Sequence, residues 1–164
     1  MWRCVQPAQR RLLQMNVEII VVDKLRESYI RDGCRLYEKR LRPLMPILVH
    51  EVRPSTARDG VEKEGAGILR HVRDDDIMWA LDASGRSLSS TDLAGKINET
   101  ERSGRRRLAL AIGGARGLSP AVIKRANFVW SLSALTFLHE MARLIVLEQL
   151  YRAVKINRRE PYHL

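Results

Sequence analysis

Five short apolar runs, separated by segments of helical periodicity, leave this chain few ways to fold. Val17–Val22 (VEIIVV) is β-branched, and Ile47–Val52, Ile77–Leu81 and Phe128–Leu132 are runs of similar length. Leu108–Ile112 (LALAI) is wholly apolar, as expected of a strand covered on both faces. Between the runs, Ile30, Cys34, Tyr37 and Leu41 recur at helical spacing until Pro43 and Pro46 stop them. A helix over Val61–Val72 is weakened by Gly65 and Gly67, and Ser89 or Ser90 caps another that carries Leu93 and Ile97. Asp82–Arg86 reads as a turn. Ser119-Pro120 opens a further helix with an N-cap hydroxyl and a proline at its first position. The last helix spans about His139 to Ile156, with Met141, Leu144, Ile145, Leu147, Tyr151 and Val154 on its apolar face. This alternation predicts a three-layer α/β domain around a largely parallel sheet.

No repeat, linker or low-complexity tract interrupts the pattern, so one domain is expected over residues 16–164. Residues 1–15 contain arginines and no acids. They read as an N-terminal extension outside the fold or a start placed too early; a targeting segment would need more serine and more length. No apolar run approaches the roughly 20 residues that span a bilayer. Cys4 and Cys34 cannot make a disulfide framework, and no Cys/His cluster has zinc-ligand spacing. The expectation is a reduced, cytoplasmic protein with no metal and no membrane partner.

Charge narrows the partner. The 164 residues carry 29 Lys+Arg against 19 Asp+Glu, a net +10, which suits a polyanion such as nucleic acid. Lys39, Arg40 and Arg42 form one group, Arg105–Arg107 a second, and Arg152, Lys155, Arg158 and Arg159 a third. Clustering favours a partner over mere solubility, although Arg105–Arg107 alone reads as a solvated loop.

The residues that could carry chemistry are ambiguous when taken one at a time. Gly113-Gly114-x-x-Gly117 follows a strand, where open α/β sheets place ligand loops, yet it is as easily a tight turn. It lacks the Lys-Ser/Thr of a phosphate loop and the spacing of a dinucleotide fingerprint. Trp130–Thr136 (WSLSALT) could wrap a flat, partly apolar ligand, or be a helix cap with core leucines. His50 lies in an apolar strand and reads as structural, His71 as solvated, His139 as a helix start and His163 as a tail residue. Cys34 falls on the apolar stripe, and Glu148 can pair with Arg152 one turn on.

Taken together, these motifs resemble one family. LALAIGGARGLSP from Leu108, WSLSALT from Trp130, His139 with Arg143, EQLYR from Glu148 and Pro161-Tyr162-His163 are similar to the ribosomal RNA large-subunit pseudouridine N3-methyltransferase family of the SPOUT superfamily. The likeness continues upstream in Tyr37-Glu-Lys-Arg-Leu and Leu81-Asp82-x-x-Gly85, and covers the chain from about Met15 to His163. The resemblance implies a SPOUT methyltransferase fold with a C-terminal trefoil knot. It implies S-adenosylmethionine as cofactor, lined by Leu81, Gly113, Leu132, Ser133, Ala134, Leu135, Thr136 and Phe137. It also implies a homodimer acting on ribosomal RNA in the assembled ribosome. On that basis His163 is expected to orient the base or accept its N3 proton, and Tyr162 to hold the uracil face. Arg143 would steady the anionic pyrimidine or grip phosphate, and Arg152, Arg158 and Arg159 would contact RNA backbone. A non-catalytic RNA-binding relative, or an enzyme acting on transfer RNA, are the alternatives. The chain departs from the family's common pattern at Asp23-Lys24, where glycine and lysine are usual, at Leu138, where proline is usual, and in ending at Leu164.

Overall fold

The apolar runs become five parallel strands of one sheet. The computed structural model describes residues 15–162, in the order β1 (Asn16–Val22), α1 (Ser28–Leu41), β2 (Ile47–Val52), α2 (Gly60–Leu69), β3 (Ile77–Ser87), α3 (Ser90–Arg102), β4 (Arg107–Ile112), α4 (Pro120–Arg125), β5 (Phe128–Ser131) and α5 (His139–Asn157). The strand order is β2-β1-β4-β3-β5, and every neighbouring pair is parallel. The alternation of side chains in β1 and β4 explains their uniform apolarity. Val17, Ile19, Val21, Leu108, Leu110 and Ile112 face a core shared with α1, α3 and α5. Ile20, Val22, Ala109 and Ala111 face a smaller core beneath α2 and α4. These are the three layers that the sequence predicts.

Residues 1–14 of the expected extension lie outside the described residues. Met15, grouped with them in the sequence reading, is fully buried in the larger core. Ser89 caps α3 in a reciprocal box with Asp92, and Ser119 caps α4 ahead of Pro120. The deepest stripe of α5 differs from the predicted face: Ala142, Val146, Leu147, Leu150, Ala153 and Val154 are buried, whereas Met141, Leu144 and Tyr151 are only partly covered. Packing against α1 on one side, α3 on the other and the sheet beneath turns the helix towards its smaller residues.

β3 runs past the predicted turn. Leu81 and Arg86 both pair with Trp130, so residues 82–85 leave the ladder and the strand then resumes beside β5. Gly85 sits there because a Cβ would lie 2.6 Å from the Val129 carbonyl oxygen. The glycines of α2 likewise serve close approach rather than weakness. A Cβ on Gly65 would overlap the Ser119 hydroxyl, and one on Gly67 would lie 2.6 Å from Val52 Cγ1. Gly65→Ala should therefore lower stability by about 1–3 kcal/mol, despite alanine's better helix propensity, because α2 must move off α4. Thermal unfolding of the variant measures it; an unchanged melting temperature would mean that the contact yields freely.

Candidate donor-binding site

The carboxyl ends of β4 and β5, with β3 beside its excursion, border a cavity of about 490 Å³. Its walls come from β3 (Leu81), the excursion at Asp82 and Ala83, the end of β4 (Ile112), the glycine loop, the end of β5 (Trp130), the segment 132–138, and the start of α5. The glycine loop is a tight turn in which Gly117 N–H donates to Gly114 O at 3.0 Å, with Gly117 at φ +78°. Gly113 lies so close to the far side of that turn that a Cβ would come within 2.6 Å of the Gly117 carbonyl. After β5, Ser131 Oγ donates to Ser133 O at 3.0 Å, and Leu135 N–H donates to Ser133 Oγ at 3.1 Å, which bends the segment across the cavity.

Seven of the eight residues expected to hold a cofactor line this space: Leu81, Gly113, Leu132, Ser133, Leu135, Thr136 and Phe137. Ala134 belongs to the same segment but not to the lining. Asp82, Leu138 and His139, none of them expected to hold the cofactor, also border it. Leu135 and Leu138 remain largely exposed at the edge. His139 is the first residue of α5, and neither of its ring nitrogens has a hydrogen-bond partner although both are buried. Beside it, Glu140 accepts the Arg26 N–H at 2.8 Å and the Glu27 N–H at 3.1 Å, tying α5 to the start of α1.

The remaining expected residues stand elsewhere. Arg143, one turn beyond His139, is buried and turned away from the cavity lining; its Nη1 donates to Glu51 at 2.8 Å and its Nη2 lies 3.6 Å from Glu38. Tyr162 donates to or accepts from Tyr37 through their hydroxyls at 3.0 Å, meets Tyr151 edge-on at 4.8 Å, and lies under the Arg152 guanidinium at 4.7 Å. Burial and the Tyr37 hydrogen bond hold the Tyr162 phenol far above its ordinary value, so it stays neutral and cannot serve as a base at physiological pH. Arg152 also donates twice to Glu148, the predicted helix pair. Arg158 lies 4.0 Å from Glu160, and Arg159 is exposed with φ +54°. His163 lies outside the described residues.

Arg107 departs from its sequence reading, and Cys34 keeps to its own. Arg107 is not part of a solvated loop: it pairs with Glu18 at 2.7 Å and lies 3.3 Å from Asp76. Cys34 is buried, and desolvation pushes its thiol up to about 11. Cys34 should accordingly resist alkylation at pH 8 on a timescale of hours and react only as fast as the chain unfolds. Peptide-resolved labelling with iodoacetamide checks this, and rapid labelling of the folded chain would contradict it.

A small, partly apolar ligand fits these walls. The volume lies within the ordinary range for small-molecule sites, and the sides are mostly apolar. Among the described lining residues there is no lysine or arginine, while Asp82 is acidic, which disfavours a phosphate-bearing ligand. The buried, unpartnered nitrogens of His139 want a polar ligand group.

Known proteins agree. The family profile described as "Predicted SPOUT methyltransferase" matches residues 15–163. A Bifidobacterium adolescentis protein named ribosomal RNA large subunit methyltransferase H is 44% identical, over 91% of this chain and 99% of its own. Its namesake in Clostridium novyi is 40% identical over the same shares. Among solved structures, a probable methyltransferase of Bordetella pertussis superposes with a TM-score of 0.55 at 14% identity, covering 87% of this chain and 96% of its own. With the cavity at the strand ends and this agreement over nearly all of its length, the chain belongs to the SPOUT methyltransferase family.

Proposed function

We propose that this methyltransferase uses S-adenosylmethionine to methylate N3 of a pseudouridine in large-subunit ribosomal RNA, on the assembled ribosome and as a homodimer. The observation that carries the reading is the cavity: segments far apart in sequence, each expected to hold the donor, meet at one set of strand ends. The names of the relatives and the net charge of +10 support an RNA substrate. The trefoil threading belongs to the same proposal, with 132–137 and α5 in the threaded part.

S-adenosylmethionine, when bound, supplies a methyl group that is already electrophilic. The chain has then to hold its donor, align the acceptor and dispose of one proton; alignment alone can account for roughly 7–11 kcal/mol of the barrier. The glycine loop and segment 132–137 present backbone groups to the donor, while Leu81, Trp130, Leu132 and Phe137 keep water from it. Tyr162 holds the face of the uracil ring, and His163 orients the base edge or takes the N3 proton. Arg143 has two carboxylate partners, so it reaches the substrate only by exchanging the more exposed of them, Glu51, for RNA. Arg152, Arg158 and Arg159 contact phosphates, and each contact removed should flatten the dependence of log affinity on log salt by about 0.7–0.9.

Distance supports the dimer. His139 at the start of α5 borders the cavity, whereas Tyr162 packs on Tyr151, twelve residues along the same helix. That separation is about 18 Å, so the tail of one chain stands away from its own cavity and suits that of a second copy.

The direct test is transfer from labelled S-adenosylmethionine to assembled ribosomes lacking the modification, with isolated subunits and transfer RNA in parallel. N3-methylpseudouridine formed only on assembled ribosomes is the expected product. Label on transfer RNA alone would move the substrate, and the absence of both transfer and donor binding would favour a non-catalytic RNA binder.

A further inference from the structure

His139 is buried at the cavity with no hydrogen-bond partner for its imidazole among the described residues, and the Asp23 carboxylate lies beside it. Asp23 follows β1 with φ +72°, a backbone conformation that favours glycine and that aspartate tolerates better than most residues. Its Oδ2 accepts a hydrogen bond from Arg26 Nη2 at 2.8 Å, and its Oδ1 accepts one from the Lys24 N–H at 2.8 Å. Nε2 of His139 lies 4.0 Å from Oδ2, too far for a hydrogen bond, and both side chains are 13% exposed. Both imidazole nitrogens are buried without a partner, and the residue borders the cavity. Buried polar atoms left unsatisfied are uncommon, and one beside an open cavity is best explained by a ligand that completes it.

We propose that His139, with Asp23 behind it, is a further binding residue of the cavity, whose imidazole accepts a hydrogen bond from the polar part of the methyl donor. This deepens the proposed function and rests on its reading of the cavity as the donor site. The carboxylate at Oδ2 favours a proton on Nε2, which leaves Nδ1 as an acceptor. An adenine nucleoside carrying an amino-acid arm offers three kinds of donor to it, the ribose hydroxyls, the adenine amino group and an ammonium group. Asp23 is thus a positioning residue: its negative charge, 4.0 Å from Nε2, favours that tautomer without touching the ligand.

Calorimetric binding of S-adenosylmethionine, S-adenosylhomocysteine and 5′-methylthioadenosine tests this without turnover. His139→Ala should weaken the first two roughly tenfold, and His139→Gln, which keeps an acceptor, by less. Equal weakening of 5′-methylthioadenosine, which has the hydroxyls and the adenine amino group but no ammonium group, assigns the bond to the nucleoside part; sparing of that ligand assigns it to the ammonium group. Asp23→Gly separates binding from folding. It relieves the left-handed backbone, so the melting temperature should hold or rise, while donor affinity falls severalfold. If His139→Ala fails to fold, Asp23→Gly still reads the contact. Affinities within twofold of the unaltered chain in His139→Gln and Asp23→Gly alike would overturn the proposal. Failure of the unaltered chain to bind any of the three would instead overturn the donor-site reading, and this one with it.

Discussion

Gly113→Ala is expected to cut methyl transfer by about 100-fold or more while leaving the chain folded. The added Cβ would lie 2.6 Å from both the carbonyl carbon and the oxygen of Gly117, and 3.0 Å from the Leu118 nitrogen. Those atoms are backbone, so no side-chain rotation relieves the overlap. The turn from Gly114 to Gly117 has to open, and it forms one wall of the cavity. Gly117→Ala is the matching control. Gly117 has open space where a Cβ would stand, and its cost to the fold is the left-handed backbone alone, about 1 kcal/mol or a few degrees of melting temperature. Donor affinity and ribosome methylation measured on both variants separate the two causes. Equal losses in both would mean that backbone strain, rather than the shape of the wall, governs the site.

What could be read in the sequence was local or periodic. Leu108–Ile112 announced a doubly covered strand because both of its faces are buried, and Ser89 and Ser119-Pro120 announced helix starts because capping is settled within four residues. The course of β3 was not readable. Asp82–Ser87 is polar and reads as a turn, and only β5 lying alongside draws the chain back into the sheet at Arg86. Long-range pairing hid the rest. Arg107 looked solvated until Glu18 and Asp76 came to it, and Arg143 looked available until Glu38 and Glu51 did.

Histidines followed the same rule. His50 reaches Glu18 at 2.8 Å and stacks on His71 at 4.4 Å, an arrangement that no spacing suggests. His139 read as a helix start, and it is one; its place on the cavity depends on β1 and α5 meeting across more than a hundred residues. The glycine loop and the segment after β5 were ambiguous alone, since each is also a common turn or cap. They gained meaning from one another, first through the resemblance and then through the cavity they share.

Tyr162→Ala should leave donor binding intact and lower methylation of ribosomes by about 100-fold, on the proposal that the tail serves the acceptor rather than the donor. The ring is held by Tyr37, Tyr151 and Arg152, all near the far end of α5 from the cavity. In a homodimer with each tail set over its partner's cavity, two inactive variants can restore one another. A Gly113→Ala chain contributes a sound tail, and a Tyr162→Ala chain contributes a sound cavity. Random exchange makes about half of the dimers mixed, each with one complete site of two, so roughly a quarter of the original activity should return. The rise should follow the rate of subunit exchange. If each tail instead reached back to its own cavity, every site in the mixture would carry a defect and no activity would return. The mixing experiment therefore tests the distance argument independently of which group takes the proton.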